Sequence, residues 1–204
     1  MTARTALLSI ERLLLAAGVA LGLWCAAQVL DARYVQRMPV PPPHRTALPA
    51  DAQPPPDRSA AAARHLVVLA AGTWVGRLEA PSVGMTATIL EGSSDETLAR
   101  GAGHIEETPL PGEPGNFGVA GHRDTTFRPV RRLKVGDPLV VTTQDGIFHY
   151  RVTKTMVVDP QDVWVLDPAS RPTLTLVTCY PFVYIGRAPR RYIVSADLEK
   201  EERR

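Results

Sequence analysis

Cysteine is scarce in this sequence. Cys25 and Cys179 are the only two among 204 residues, and Cys25 lies in an apolar run, where it acts as a small apolar side chain. Cys179 then has no intramolecular partner for a disulfide, and a lone thiol does not supply a metal site of the usual ligand spacing. Cys179 is therefore either an inert core residue or a nucleophile.

An excess of either charge is also absent. The chain has 23 basic and 21 acidic side chains, a net charge of +2, and no long run of lysine or arginine, so we expect no nucleic acid partner. No acidic cluster indicates a calcium site, and the stretch EGSSDE predicts a solvated turn before a short helix. We expect neither a metal nor a cofactor.

One long hydrophobic run lies near the N-terminus. Residues 13–30 contain a single clearly polar side chain, Gln28, and as a helix they would extend about 27 Å, close to the ~30 Å hydrocarbon layer. The run predicts a membrane signal-anchor over residues 13–33, after a cytoplasmic segment 1–12. A cleaved signal peptide and a buried core helix are the alternatives. Arginines flank the run on both sides, so the charge bias for a cytoplasmic N-terminus is weak.

A proline-rich segment follows the run. Residues 39–58 contain eight prolines, and we expect residues 34–58 to form an extended, semi-rigid spacer that lifts a folded domain away from the bilayer. Residues 59–75 have a helix-forming composition, with Ser59 as a possible cap, and predict a helical lead-in.

From Gly76 onward the sequence is of β type. Two β-rich runs surround Asp145 and Gly146, a pair that favours the positive φ angles of a tight hairpin turn. Further short runs bring the total to six to eight strands, which predicts a barrel or a sandwich over residues 76–198, followed by a charged tail at 199–204.

Cys179 stands at the end of one of these strands. The run TLTLVT leads into it, and Tyr180 and Pro181 break the regular ladder, so the thiol should lie at the mouth of a strand, where rigid scaffolds display reactive groups. A nucleophilic thiol also needs a base or a charged neighbour, because at a pKa of ~8.5 little of it is thiolate at neutral pH.

His122 is the imidazole that best suits this role. It follows the strand-like run NFGVAG and heads a polar turn, the same strand-end position as that of Cys179, and we favour it over His104. In its strand, His149 alternates with the large apolar residues Phe148 and Tyr150, so it should lie on the opposite, solvent-facing side. The remaining imidazoles lie in the spacer and the lead-in: His44 and His65.

Several separated motifs together resemble the sortases. They are GVAGHRDTTFRPV, TLTLVTCYPF and RRYIV, supported by GRLEAP, GAGHI, PGEPGN and GDPLVV, and the residues after the cysteine are similar to those of the class D group. The resemblance runs from about Gly76 to Leu198. It implies a mainly β fold, a closed eight-stranded sortase-type barrel with short helices, preceded by one transmembrane helix.

The resemblance also implies which residues act. The family's nucleophile, which carries the acyl-thioester, falls on Cys179, and its proton donor and acceptor on His122. The family's arginine, which positions substrate and oxyanion, stands at the start of the last core strand. Arg190 shares its strand face with apolar residues, so Arg191 is the first choice, Arg190 the second and Arg187 a distant third. Thr178 and Asp124 are expected in supporting positions.

The implied activity is that of a membrane-anchored cysteine transpeptidase. It would cleave a sorting-signal peptide bond through a thioacyl-enzyme and transfer the acyl group to an amine, either of a cell-wall peptide or of another surface protein. The partners would be surface proteins with a C-terminal sorting signal, and membrane lipid around the N-terminal helix. The catalytic domain would lie outside the cytoplasm on a single-pass anchor.

Two other readings compete with this one. An L,D-transpeptidase would carry histidine and glycine just before its cysteine, which LVTC lacks. A catalytically silent barrel would only bind a partner. Thiol modification of Cys179, followed by peptide cleavage with and without an added amine, separates the three.

Overall fold

In the part of the chain that the structure describes, eight strands and two α-helices form the fold. The computed structural model describes residues 3–40 and 69–203. Helix α1 is Ala3–Gln36, and the short helix α2 is Asp95–Arg100, capped by Ser94, whose hydroxyl accepts a hydrogen bond from the Thr97 amide. The strands are β1 Trp74–Ala80, β2 Met85–Glu91, β3 Ala102–His104, β4 Asn116–Gly121, β5 Pro138–Thr142, β6 Gly146–Val158, β7 Thr173–Tyr180 and β8 Arg190–Arg203.

The strands form a closed barrel in the order β1-β2-β3-β4-β7-β8-β6-β5. Most neighbours are antiparallel, but β2 with β3 and β4 with β7 run parallel. Parallel neighbours point their C-terminal ends the same way, so the residues after β4 and at the end of β7 meet at one end of the barrel. The predicted mainly β fold, a closed eight-stranded barrel, is confirmed.

The core fills the inside of this barrel. Its largest fully buried side chains include Phe117 of β4, Leu176 of β7 and Tyr150 of β6. Alternate residues along each strand point inward, as the strand period of two requires, so the residues between them line the outer surface. A rigid interior of this kind can hold outward-facing side chains in fixed positions.

The predicted hairpin is present between β5 and β6, but its turn is of another kind. Neither Asp145 nor Gly146 has a positive φ in this described loop. Instead, the Thr143 hydroxyl accepts hydrogen bonds from the amides of Asp145 and Gly146, at 3.1 and 3.2 Å. Gly146 is needed for another reason: a Cβ there would lie 2.5 Å from the carbonyl oxygen of Glu202 in β8.

The element boundaries differ from the sequence division in two places. Strand β1 begins at Trp74, two residues before the expected start of the domain, and β8 continues through residues 199–203, which we expected to form a charged tail. Most of the expected lead-in helix, 59–68, lies outside the described residues; residues 69–73 contain a turn and no helix. Of the proline-rich spacer, residues 41–58 also lie outside them.

Helix α1 contains the predicted membrane run. Residues Ile10–Gln36 are long and apolar enough to cross a membrane, and none of their most apolar window is buried against the protein. Exposure of this run excludes the reading of a buried core helix, since a core helix is covered by other elements.

Candidate active site

Strand β7 brings Cys179 to the outer surface of the barrel. Leu176 and Thr178 point inward and are buried, whereas Cys179, between Thr178 and Tyr180, is a half-buried free thiol. The strand ends one residue later at Tyr180, which is joined to Pro181 by a cis peptide bond. The thiol therefore lies at the mouth of a strand, as the sequence predicts.

Strand β4 leads His122 to the side of this thiol. Gly121, the last residue of β4, is the register partner of Thr178 in the parallel strand β7, and His122 and Cys179 are the residues that follow this last pair. The Thr178 hydroxyl donates a 2.7 Å hydrogen bond to the carbonyl oxygen of Gly121. This buried link joins the two strands one residue before His122 and Cys179, and a supporting role of Thr178 in catalysis stays a prediction.

Arg191 faces Cys179 from the other side. In the antiparallel pair of β7 and β8, Cys179 is the direct partner of Arg191, and directly opposed residues present their side chains on the same face. The half-buried Arg191 guanidinium donates to the carbonyl oxygens of Arg190 and Ala188, at 3.1 and 3.3 Å. These two bonds hold the guanidinium, with its positive charge, against the backbone at the start of β8.

The other two arginines of the sequence prediction lie elsewhere. Arg190 is the partner of Tyr180 and lies over its ring at 5.7 Å, on the opposite strand face from Cys179. Arg187 is exposed in the loop between β7 and β8. The geometry thus brings Arg191, and not Arg190, to the face that Cys179 occupies.

Arg123 was missed by the sequence reasoning. It follows His122 directly and reaches the β7–β8 loop, where it donates to the carbonyl oxygens of Tyr184 and Gly186, at 2.9 and 3.2 Å. Its guanidinium also lies over the Tyr184 ring at 5.7 Å. The only available signal was its position next to a candidate imidazole. Asp124, expected in a supporting position, is exposed.

His104, the second-choice imidazole, is part of a separate buried network. Its Nδ1 lies 2.6 Å from the Glu91 carboxylate and its Nε2 2.9 Å from the Thr108 hydroxyl. His104 pairs with Val119, two residues before the end of β4, and its ring nitrogens are both engaged within this network. The network ties β2 and β3 to the β3–β4 loop. His149 is partly exposed on β6, where it lies 3.3 Å from Glu202.

Within residues 3–40 and 69–203, no group of three or more histidine, cysteine or acidic side chains is arranged to hold a metal ion. The strand register sets Cys179 opposite Arg191, and His122 follows Gly121, the partner of Thr178, at the same end of the barrel. A thiol beside these groups can become a thiolate, attack an electrophilic carbon and have the resulting negative charge stabilised.

Two connections of the barrel expose apolar side chains. Val183 and Ile185, in the β7–β8 loop that follows Cys179, are 86% and 100% exposed. Val163 and Trp164, in the β6–β7 connection, are also exposed, and this connection is attached to the start of β4, where Asn116 donates to the carbonyl oxygen of Val165. Apolar side chains on loops beside a reactive group are suited to contact an extended peptide.

Comparisons with known proteins agree with this geometry. Residues 78–199 match the family model described as Sortase domain. The chain is 39% identical over 124 residues to Sortase D of Bacillus subtilis (strain 168), which covers 60% of this chain and 63% of that protein. The chain thus spans less than two thirds of this curated relative.

Solved structures are similar over the same region. The Sortase D5 transpeptidase of Clostridium perfringens superimposes with a TM-score of 0.60 and 35% identity, covering 66% of this chain and 84% of that one. Sortase E1 of Streptomyces coelicolor, solved with a tripeptide in its active site, gives a TM-score of 0.59 and 35% identity, covering 65% and 92%. These similarities confirm the resemblance read from the motifs, including its class D character.

Proposed function

The chain belongs to the sortase family, and we propose that it is itself a cysteine transpeptidase that joins a peptide acyl group to an amine through a thioester on Cys179. Sortases are cysteine transpeptidases that act on surface proteins bearing a sorting signal. The observation that carries the proposal for this chain is the strand register. It sets Cys179 opposite Arg191 in one neighbouring strand and beside the residue after Gly121 in the other.

In the first half of the reaction, the Cys179 thiolate attacks the carbonyl carbon of a sorting-signal peptide bond. A carbon–sulfur bond forms, and the carbon–nitrogen bond then breaks while His122, as imidazolium, gives its proton to the departing amine. Arg191 donates to the oxyanion that develops on the carbonyl oxygen, and its charge does not titrate near neutral pH.

In the second half, the amine of an acceptor attacks the thioester carbon. A carbon–nitrogen bond forms, the carbon–sulfur bond breaks and His122 takes the proton from the incoming amine. The thiolate is regenerated, and a surface protein is joined to a cell-wall peptide or to another surface protein. No cofactor takes part in these steps.

The family's location gives a place for this activity. Sortases are membrane-anchored, and α1 contains a candidate span. In our proposal α1 is a retained single-pass anchor, residues 1–12 are cytoplasmic and the barrel, whose strands lie between Trp74 and Arg203, is the catalytic domain on the outer side of the cell membrane. The loop residues Val183, Ile185 and Trp164 would line the path of the bound peptide.

A pair of cysteine variants tests the reaction. The full chain in detergent is incubated with a peptide library, with and without a small amine, and the protein mass is measured. The parent and the Cys25→Ala variant should each gain one acyl mass and release an amidated product. Cys179→Ala should gain none, and His122→Ala should be slower by about 10²–10⁴-fold, since it removes the general acid and base.

Other outcomes would contradict the proposal. A cleaved peptide with no amide product in the presence of amine would indicate a hydrolase. Acyl mass on Cys25 instead of Cys179 would show that Cys25 is the nucleophile. If the parent binds peptides without cleaving any of them, the alternative of a catalytically silent barrel that only binds a partner would be favoured.

A further inference from the structure

The last turn of α1 is packed against the barrel wall. Val35 is fully buried, although almost every residue from Ile10 to Tyr34 is exposed. Thr88 of β2 is fully buried as well, and its hydroxyl donates a 3.1 Å hydrogen bond to the carbonyl oxygen of Val35. The end of the helix therefore covers part of the outer surface of β2.

Gln36 completes the hydrogen bonding of the wall itself. Its Oε1 accepts from the Thr88 amide at 3.0 Å, and its Nε2 donates to the carbonyl oxygen of Arg100 at 2.9 Å. Strand β3 begins only at Ala102, which pairs with Ile89, so the ladder between β2 and β3 has not started at Thr88. A side-chain amide carries the same donor and acceptor as a peptide group and fills this gap.

Two further contacts surround this pair. The Asp31 carboxylate accepts a 2.8 Å ion-paired hydrogen bond from Arg100, at the end of α2. The guanidinium of Arg77, in β1, donates to the carbonyl oxygen of Met38. Residues 31–38 are thus attached to β1, β2 and α2, and we call this set of contacts the dock.

The dock lies very close to the apolar run. Leu30 ends the run, and Val35 comes five residues later, which is about 8 Å along a helix. The polar headgroup layer on each side of a bilayer is about 5–7 Å thick. If α1 crosses the membrane, the dock falls at the outer edge of the headgroups.

We propose that the dock holds the barrel directly against the lipid headgroups, so that α1 acts as a rigid mount for the catalytic domain. This rests on the proposed membrane anchoring. The proline-rich residues 41–58 follow the dock in the chain, so they do not set the distance between bilayer and barrel, contrary to the spacer expected from the sequence.

The mount also sets the height of the active site. Gly103 of β3 pairs with Ala120 of β4, one residue before the end of that strand. Strands lie about 4.8 Å apart, so His122 is two strands, on the order of 10 Å, from the dock. The substrates that fit such a site are polypeptides whose scissile bond is held within about 20 Å of the hydrocarbon, the sum of these distances.

Fluorescence quenching in vesicles tests this placement. A Cys25→Ser, Cys179→Ala chain, with one cysteine introduced at Val19 or at Ala99, carries a small fluorophore in phosphatidylcholine vesicles. Val19 is in the exposed apolar run, and Ala99 is exposed on α2 beside the dock. We expect acyl-chain nitroxides to quench the label at position 19 and headgroup nitroxides to quench the label at position 99.

The two labels separate the two proposals. Quenching at 19 without quenching at 99 would overturn the mount and leave the anchor in place. Absence of quenching at 19 would overturn the anchoring and the mount together. Neither result depends on a variant that disturbs the dock.

A matched pair of variants tests the dock itself. Val35→Asp puts a carboxylate at a fully buried position, and Tyr34→Asp puts the same group at the neighbouring residue, which is 67% exposed. Val35→Asp should lose the headgroup quenching at position 99, and Tyr34→Asp should retain it. Equal quenching in the two variants would overturn the mount, provided that near-ultraviolet circular dichroism confirms a folded barrel in both.

Hydrogen exchange tests the role of Gln36. In Gln36→Leu the Thr88 amide loses its acceptor, and its exchange should become faster by about tenfold or more, since the dock loses two hydrogen bonds. Gln28→Leu makes the same change in the exposed part of the helix and should leave this amide unchanged. Equal exchange in the two variants would contradict the assigned role.

Discussion

At the scale of single residues, two adjacent arginines have different environments because they belong to a strand. Arg191 opposes Cys179 and bonds to two backbone carbonyl oxygens, whereas Arg190 lies over the Tyr180 ring on the other face. We favoured Arg191 from the sequence because successive residues of a strand face opposite sides. The register of β7 and β8 sets Arg191, and not Arg190, opposite Cys179. Nothing in the sequence indicated which backbone oxygens would orient the guanidinium.

We expect Arg191→Lys to lower kcat/KM for peptide cleavage by about 10²–10³-fold, because an ammonium does not reproduce the forked donors that face an oxyanion. Arg190→Lys is the control, since it makes the same change one residue away and on the opposite face. Steady-state kinetics with a cleavable peptide measures both. A larger loss in the Arg190 variant would reverse the assignment.

At the scale of elements, loops near the site are fixed by contacts between residues distant in sequence. Arg123 joins the turn after β4 to the β7–β8 loop, although about 60 residues separate them. The sequence predicted the strands, because alternation is local, but not this contact. The buried pair of Glu91 and His104 was missed for the same reason, since it links two different strands.

Arg123→Met should loosen the β7–β8 loop. Methionine replaces the methylene stem of the arginine by a long apolar side chain, but it removes the two hydrogen bonds to the carbonyl oxygens of Tyr184 and Gly186. Amide exchange of residues 183–187 should become faster by about fivefold or more, in line with the loss of two exposed hydrogen bonds. Arg128→Met, at an exposed position just beyond, is the control. Unchanged exchange in the loop would show that these bonds do not order it.

The hairpin gives a second prediction at this scale. In Gly146→Ala the added Cβ would lie 2.5 Å from the Glu202 carbonyl oxygen and 3.1 Å from the Arg203 Cα, so β6 and β8 must move apart. We expect the free energy of unfolding to fall by about 1–3 kcal/mol, the usual effect of overpacking.

Gly22→Ala is the control for this variant, because apart from its chain neighbours and the backbone of its own helix no atom lies within 4 Å of its added Cβ. Urea denaturation, followed by tryptophan fluorescence, measures both variants. Equal midpoints would mean that the two strands are not as close at Gly146 as the register indicates.

At the scale of the whole molecule, the sequence predicted the barrel. It did not predict how the barrel is attached to α1 before it, or where its last strand ends. Repeated short β-type runs, with turn residues between them, predicted six to eight strands in a barrel or a sandwich, and the resemblance to the sortases then implied a closed barrel of eight strands. The extension of β8 through residues 199–203 was not predicted, because so strongly charged a segment is typical of a solvated tail. In the structure this segment pairs with the start of β6. The dock was hidden because Val35 and Gln36 look like the ordinary end of an apolar helix.

Burial in this barrel predicts a loss of stability at alkaline pH. Tyr150 is 1% exposed, and burial raises its pKa to about 12, although the Gly112 amide donates a 3.2 Å hydrogen bond to its oxygen. Between about pH 10 and 12 an unfolded tyrosine loses its proton while the folded one keeps it. Two pKa units correspond to about 3 kcal/mol, present below pH 10 and lost as pH rises through about 12.

Tyr150→Phe cannot ionise, so its unfolding free energy should fall less steeply than that of the parent over this range. Urea denaturation at a series of pH values measures the difference. Tyr184→Phe changes a half-exposed tyrosine and should follow the parent curve. Parallel curves for the Tyr150 variant and the parent would mean that this phenol ionises equally in both states.

The direction of β8 determines where a protein or tag fused to the end of this strand would lie. The strand starts at Arg190, beside the nucleophile, and ends at Arg203, opposite Gly146. The twelve steps from Arg191 to Arg203 extend about 40 Å along the strand. A fluorescent protein or affinity tag fused after Arg203 would therefore emerge far from the thiol, where it leaves both acyl donor and acceptor free to approach.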